Sequence, residues 1–331
     1  MRIGLYLAYW PWFSPEEQVD LARRADAAGL DSVWVAEAWG QDTISVLGHL
    51  SAVTERIGLG SGVMQIPGRT PAMTAMTAAT LDVLSGGRFR LGLGVSGPQV
   101  SEGWHGVPFA RPLARTREYV DVVRQALARD GPLEYEGREF RLPVDPDGLG
   151  KPLKLLIRPV QERIPIYLGA IGPKAVEQAA RIADGWLPFM FDPGQLGPFA
   201  ERGADVAPVV MVCVDDDPGR ARDLARPWLA LYLGGMGAKS KNFYVESAER
   251  YGHGASAQRV QELFGAGDRA GAAAALSDEL IERSAICCRP GELGDRIAWY
   301  EEAGATTLLA CPFGDRPRIV DELAAVAGGR T

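Results

Sequence analysis

Short apolar runs alternate with helix-like segments along most of the chain. Residues 3–7 form the first apolar run, and residues 15–28 follow with apolar positions at helical spacing before Gly29. Further strands are predicted at 32–35, 57–61, 88–93, 165–168, 185–187, 207–214 and 306–310. The predicted helices that follow them cover 43–54, 70–84, 116–128, 173–182, 194–201, 295–303 and 317–327. Connections of this length favour parallel strands, because each connection must cross the sheet.

Two segments interrupt this alternation. Residues 131–163 are rich in proline and glycine, and residues 135–138 are predicted to form a hairpin tip before the fifth strand. Residues 218–283, after the seventh strand, read as a largely helical insertion. Strands and helices in strict alternation favour a closed (β/α)₈ TIM barrel, a single α/β domain over residues 1–331. An open dinucleotide-binding sheet would need a glycine-rich turn after the first strand. Residues 7–12 read LAYWPW and contain no glycine, which argues against this alternative.

Composition narrows the class of protein. The 331 residues are 47% hydrophobic, which is enough for a large core, and the formal net charge of −7 with no basic run argues against nucleic-acid binding. We find no signal-peptide pattern and no apolar stretch long enough to span a membrane. The four cysteines lack metal-ligand spacing, and Cys213 and Cys311 lie in apolar runs typical of core residues. We expect a cytoplasmic protein without a metal site.

The loops that follow the strands are the candidate site, because a TIM barrel binds its ligands there. Residues 8–13 hold four aromatic side chains and fit either a lid over the barrel or an apolar wall for a planar ligand. Glu37 directly follows the second strand. Glu37 could cap the next helix. However, Asp42 immediately precedes that helix and can itself cap it, which favours a functional role for Glu37.

The next three loops are rich in small residues. Residues 58–63 and 92–97 place glycines at two neighbouring strand ends, where a ligand or another backbone can approach closely. Residues 169–174 read GAIGPK and lead into a helix that begins with Pro173. The free amides of such a turn and the dipole of the helix suit a phosphate, although an ordinary tight turn is the alternative.

Several stretches resemble the luciferase-like monooxygenase superfamily. They are residues 2–5, 27–37, 56–63 and 84–94. Residues 94–100 and 102–106 resemble its deazaflavin-dependent branch, which includes relatives of methylenetetrahydromethanopterin reductase and of coenzyme F420-dependent glucose-6-phosphate dehydrogenase. The similarity covers nearly the whole chain and is weakest in the helical insertion. It implies an oxidoreductase with the TIM-barrel fold and coenzyme F420 as its cofactor.

The resemblance also implies positions for the site. The family's acidic residue near the reactive edge of the ring falls on Glu37, but the histidine that often follows is Ala38 here. A non-proline cis peptide that supports one face of the ring falls on Gly62–Val63. The full set expected to contact the cofactor is Ala38, Ser61, Gly62, Val63, Val95, Ser96, Val100, Gly169, Ala170, Ile171, Gly172 and Pro173.

The implied chemistry is hydride transfer between C5 of the deazaflavin and a small organic substrate. Either C=C or C=N reduction or alcohol oxidation is compatible with the residues, and Glu37 and His105 are the two candidates for proton transfer. An FMN-dependent monooxygenase and a non-catalytic flavin-binding barrel are the alternatives. A sugar phosphate is a poor fit, because Lys239 and Lys241 form no convincing basic cluster and are typical of a solvated pair.

The second and third helices predict an assembly. Residues 43–54 and 70–84 carry more alanine, methionine and leucine than one core-facing stripe requires. A second apolar face on these helices would need another surface to cover it. We therefore expect a homodimer that pairs through this half of the barrel.

Overall fold

The computed structural model describes residues 1–190, 192–193, 203–237 and 242–329. The strands are β1 Arg2–Leu7, β2 Ser32–Val35, β3 Gly58–Ser61, β4 Met64–Gln65, β5 Phe89–Gly94, β6 Tyr135–Glu136, β7 Arg141–Leu142, β8 Ile166–Gly169, β9 Gly185–Trp186, β10 Asp205–Val206, β11 Val209–Val214, β12 Ala285–Cys288 and β13 Thr307–Phe313. The helices are α1 Pro15–Ala27, α2 Thr43–Val53, α3 Pro71–Leu84, α4 Pro98–Gly103, α5 Pro112–Ala128, α6 Pro173–Ile182, α7 Pro218–Gly235, α8 Phe243–Arg250, α9 Gly254–Gly265, α10 Arg269–Ala274, α11 Asp278–Ser284, α12 Leu293–Glu302 and α13 Arg316–Gly328.

The parallel strands close on themselves. β1, β2, β3, β5, β8 and β9 pair in that order, and β13 pairs with the other side of β1. β10 pairs with β9, whereas β11 pairs with β13, and only residues 207–208 separate β10 from β11. The Ala207 amide donates to the Trp186 carbonyl and the Leu309 amide donates to the Pro208 carbonyl, each at 2.9 Å. Within the described residues, pairing therefore continues around a barrel, and the predicted (β/α)₈ fold is confirmed.

Local sequence signals explain most helix boundaries. Ser14 accepts a hydrogen bond from the Glu17 amide, and the Glu17 carboxylate accepts one from the Ser14 amide, so α1 begins with a capping box. The fourth predicted helix was expected to start at residue 116, but α5 begins at Pro112. Arg111 has a left-handed φ of 45° and Pro112 supplies a fixed helical φ, which together start the helix one turn earlier.

The two interrupting segments have the following structures. β6 and β7 form an antiparallel hairpin whose turn covers residues 137–140, two residues later than the predicted tip. The segment 218–283 contains α7 to α11. Neither α4 nor β12 is predicted by the sequence pattern, and the four buried residues of β12 extend the sheet beside β11. The predicted helix at 194–201 lies outside the described residues.

Glycines allow close packing inside the barrel. A Cβ atom at Gly60 would lie 2.3 Å from the indole ring of Trp34, which is almost fully buried. With side chains filling the space that such glycines leave, the barrel interior is a packed core.

All four cysteines are buried and unpaired, as expected for Cys213 and Cys311. Across the described ranges, no helix is both long and apolar enough to cross a membrane.

Candidate active site

A cavity of about 370 Å³ opens where the barrel strands end. Its lining comes from the segments that follow β1, β2, β3, β5, β8 and β9, together with α7 and α8 of the helical insertion. Most of the predicted site residues line it, namely Glu37, Ala38, Gly62, Val63, Val95, Ser96, Val100, Gly169, Ala170, Ile171 and Gly172. The structure thus brings residues that are far apart in sequence to one rim of the barrel, as parallel strands require.

Three predicted residues do not line the cavity. Ser61 is fully buried, and its hydroxyl bonds both the amide and the carbonyl of Gly92 at 2.9 Å, which ties β3 to β5. Pro173 begins α6 directly behind the lining residue Gly172. His105 is separated from the cavity by Gln65, with 2.6 Å between His105 Nε2 and Gln65 Oε1.

The Gly62–Val63 peptide bond is cis, as predicted. Tyr6 donates a hydrogen bond from its hydroxyl to the Gly62 carbonyl. The side chain of Val63 fills the space above the two neighbouring strand ends, because a Cβ at Gly94 would lie 2.4 Å from Val63 Cγ2 and a Cβ at Gly169 would lie 3.3 Å from Val63 Cγ1. The two glycines therefore leave room for Val63, which forms part of the cavity floor.

Glu37 is held by several donors. Its carboxylate accepts hydrogen bonds from both terminal nitrogens of Arg69, at 2.9 and 2.8 Å, and from the Gln65 amide at 2.9 Å. The Thr43 amide at the start of α2 also donates to it at 3.3 Å, so Glu37 assists Asp42 in capping that helix. Burial lowers the pKa of Arg69, but the hydrogen bonds and charge of Glu37 raise it overall. The result is a fixed cluster at the cavity edge in which Arg69 pairs with both Glu37 and Asp42.

The turn before α6 has the features expected of an anion site. Gly172 is the N-cap residue, no side chain caps this helix end, and a Cβ placed at Gly172 would meet no atom within 4 Å. Amides in the first turn of a helix lack intrahelical acceptors and remain available to a ligand. Arg250, at the end of α8, donates to the Ile171 carbonyl at 3.3 Å and brings a positive charge to the turn.

Aromatic side chains form another part of the cavity wall. Tyr9, Phe189, Tyr232 and Tyr244 all line the cavity, and the rings of Phe189 and Tyr232 are 4.2 Å apart. The two interpretations of the first loop apply to different residues, because Phe13 packs against Phe313 in the core whereas Tyr9 faces the cavity. The loop is therefore both a packing element and a wall.

Sequence reasoning missed several residues at this site. Arg69 follows the third strand, so its nearness to Glu37 could have been inferred from the convergence of strand ends. Tyr232 and Tyr244 lie in the helical insertion, where no pattern in the sequence indicates which helix face meets the barrel. Lys239 and Lys241 lie outside the described residues.

Comparison with known proteins gives consistent results along the whole chain. A provisionally named coenzyme F420-dependent oxidoreductase of Mycobacterium tuberculosis is 42% identical over 327 residues, covering 93% of this chain and 94% of the relative. The 5,10-methylenetetrahydromethanopterin reductase of Archaeoglobus fulgidus is 30% identical over 330 residues, covering 95% of this chain and 94% of the relative.

A solved structure shows the same architecture. The coenzyme F420-dependent tetrahydromethanopterin reductase of Methanopyrus kandleri superposes with a TM-score of 0.82 at 25% identity, covering 100% of this chain and 99% of the other. The sequence model described as luciferase-like monooxygenase matches residues 2–307. With this match over most of the chain, and with the barrel and rim cavity described above, the chain belongs to the luciferase-like monooxygenase family.

Proposed function

We propose that this protein is a coenzyme F420-dependent oxidoreductase that transfers a hydride between C5 of the deazaflavin and a small organic substrate. The observation that carries the proposal is the apolar rim cavity with the uncapped start of α6 at its edge. A flat aromatic ring needs apolar walls, and a phosphate needs free amides. The names of the relatives in Mycobacterium tuberculosis and Archaeoglobus fulgidus support the same cofactor and reaction class.

The residues present fit the cofactor. Val63, Val95 and Val100 offer apolar contacts for the ring, and all three line the cavity. The turn at residues 169–172 would hold the phosphate, because the position of a Cβ at Gly172 is open space. When bound, the deazaflavin would supply a two-electron hydride carrier that reacts sluggishly with dioxygen. The protein would position the ring and exclude water around it.

Proton transfer requires a donor near the reacting carbon. We propose that His105 exchanges the proton with the substrate when the Gln65 side chain, which contacts His105 and lines the cavity, turns aside, because an amide does not itself relay a proton. Glu37 already accepts hydrogen bonds from Arg69 and from backbone amides, so we assign it the role of a fixed anion that orients the third strand's loop. Ala38 can neither donate nor accept a proton, whether the substrate is reduced or oxidised, because a methyl group does not ionise.

The cofactor choice is tested by titration and turnover. We expect coenzyme F420 to bind at least about tenfold more tightly than FMN, a difference of about 1.4 kcal/mol. Absorbance of the bound cofactor measures both affinities. Reduced F420 should then be oxidised under nitrogen by one or more members of a panel of conjugated ketones and imines. Tighter FMN binding with oxygen-dependent turnover would instead indicate a monooxygenase, and tight binding without hydride transfer would indicate a binding protein.

The role of His105 is tested by His105→Gln. We expect kcat to fall by about 10²-fold, the effect typical of losing a general acid or base, while the affinity for F420 stays unchanged. His49→Gln is the matched control, because His49 is exposed on α2 and does not line the cavity. An unaltered kcat in His105→Gln would transfer the proton role to Glu37 or to water.

The proposed homodimer has a candidate surface on α3. Met73 and Met76 are each 51% exposed, and Leu84 is 59% exposed. The surface continues to Val160, whose amide donates to the Asp82 carboxylate on the same helix. Exposed apolar side chains clustered in this way are typical of an interface.

Sedimentation tests the assembly. We expect the wild-type chain to sediment as a dimer at micromolar concentration, because pairing would cover the exposed methionines of α3. Met73→Lys combined with Met76→Lys should yield a folded monomer. Arg259→Lys, in an exposed ion pair on α9, is a control that should leave the dimer intact. A wild-type monomer under these conditions would contradict the proposal.

A further inference from the structure

The charge of the cavity restricts what can bind in it. Among the described residues that line it, Glu37 carries the one charged side chain, and that carboxylate is paired with Arg69, which also pairs with Asp42. An anionic substrate would therefore find no cationic side chain among these lining residues. A cationic substrate would have to compete with Arg69 for the Glu37 carboxylate. Burial of an unpaired charge is strongly unfavourable. The wall suits a neutral molecule.

Two residues that line the cavity, Tyr9 and Thr116, have a buried hydroxyl with no hydrogen-bond partner among the described residues, and Tyr9 is the one that belongs to the aromatic wall. The Tyr9 side chain is 7% exposed, it lines the cavity, and its hydroxyl has no hydrogen-bond partner among the described residues. Burial raises the pKa of Tyr9 and the hydroxyl of Tyr232 lowers it by less, but the two hydroxyls are not in hydrogen-bonding geometry. Buried hydroxyls in folded proteins usually form a hydrogen bond, so the Tyr9 hydroxyl is available to bond an oxygen atom of a ligand.

The surroundings of Tyr9 make it a hydrogen-bond donor. Its ring packs 5.3 Å from that of Trp228, and Trp228 is 5.1 Å from Tyr232. Burial among these rings raises the pKa of Tyr9 well above its usual value, so the hydroxyl keeps its proton at neutral pH. Tyr6 differs, because its hydroxyl is already bonded to the Gly62 carbonyl.

We propose that the Tyr9 hydroxyl anchors the substrate by donating a hydrogen bond to an oxygen atom of a neutral, mostly apolar ketone or alcohol. This assignment rests on the proposed function, since it concerns the substrate of that same cavity. The aromatic rings of Phe189, Tyr232 and Tyr244 would contact the apolar body of the substrate. Tyr9 would thus select for an oxygen at one defined position.

The test compares two variants that each lose one buried tyrosine hydroxyl. Tyr9→Phe removes the proposed anchor. Tyr300→Phe removes a hydroxyl that is equally buried and unpartnered but does not line this cavity. The probes are cyclohexanone, its hydrocarbon analogue methylenecyclohexane and the anion cyclohexanecarboxylate. Their dissociation constants are measured by calorimetry on the protein with and without coenzyme F420.

We expect the wild type to bind cyclohexanone more tightly than either analogue. Tyr9→Phe should weaken cyclohexanone binding by about 3- to 10-fold, the range for one neutral hydrogen bond, and leave methylenecyclohexane unchanged. Tyr300→Phe should bind all three probes as the wild type does. Cofactor affinity should be the same in all three proteins, and circular dichroism verifies that each is folded.

Three results would overturn the assignment. In the first, Tyr9→Phe keeps the full preference for the ketone. In the second, Tyr9→Phe loses affinity for F420 instead, which would mean that the hydroxyl faces the cofactor. In the third, the wild type itself prefers the carboxylate, a result that decides the matter even if Tyr9→Phe does not fold. Because the probes are also measured without cofactor, failure to bind F420 would refute the proposed function without deciding the role of Tyr9.

Discussion

The packing of Val63 against Gly94 and Gly169 is the contact on which the site depends. Any side chain larger than hydrogen at Gly94 would overlap Val63, since its Cβ would lie 2.4 Å from a Val63 methyl. The strand ends can therefore approach the cis Gly62–Val63 peptide and leave an apolar floor beneath the cavity. Tyr6 fixes the same peptide through its hydrogen bond to the Gly62 carbonyl.

Charge is kept at the edge of this floor. The Glu37–Arg69 pair is bidentate and partly buried, and it also receives backbone donors from the next loop. Such a pair contributes a fixed geometry more than it contributes stability. With the carboxylate occupied, the cavity remains mostly apolar, and the uncapped start of α6 at Gly172 is the natural place for a negative group. Ring and phosphate would thus meet different chemistry at the two parts of one site.

Much of the fold could be predicted from sequence because its signals are local. Apolar runs and helix caps such as Ser14 recur at regular intervals, and crossover connections restrict the strands to parallel pairing. Once the strands are known to be parallel, the loops that follow them can be placed together at one end of the barrel. β12 could not be predicted in this way, since a run of four apolar residues is equally compatible with a buried helix turn. Its partner β11 is distant in sequence, and pairing is decided by tertiary packing.

The residues of the site also divide into those predicted by local sequence and those that depend on contacts between distant segments. Glu37, Val63 and Gly172 follow strands directly, so sequence position alone places them at the rim. Arg69, Tyr232 and Tyr244 reach the site through contacts between segments that no periodicity reveals. His105 was expected at the rim and lies one residue behind it, because the Gln65 side chain stands between His105 and the cavity.

The most direct test of the account is the affinity of Gly172→Glu for coenzyme F420. A carboxylate at this open position would repel the cofactor phosphate and block the amides, so we predict binding weaker by about tenfold or more in a folded protein. Gly131→Glu adds the same charge where a Cβ also meets no atom, away from the cavity lining, and should bind normally. Equal affinity in both variants and the wild type would contradict the placement of the phosphate at α6.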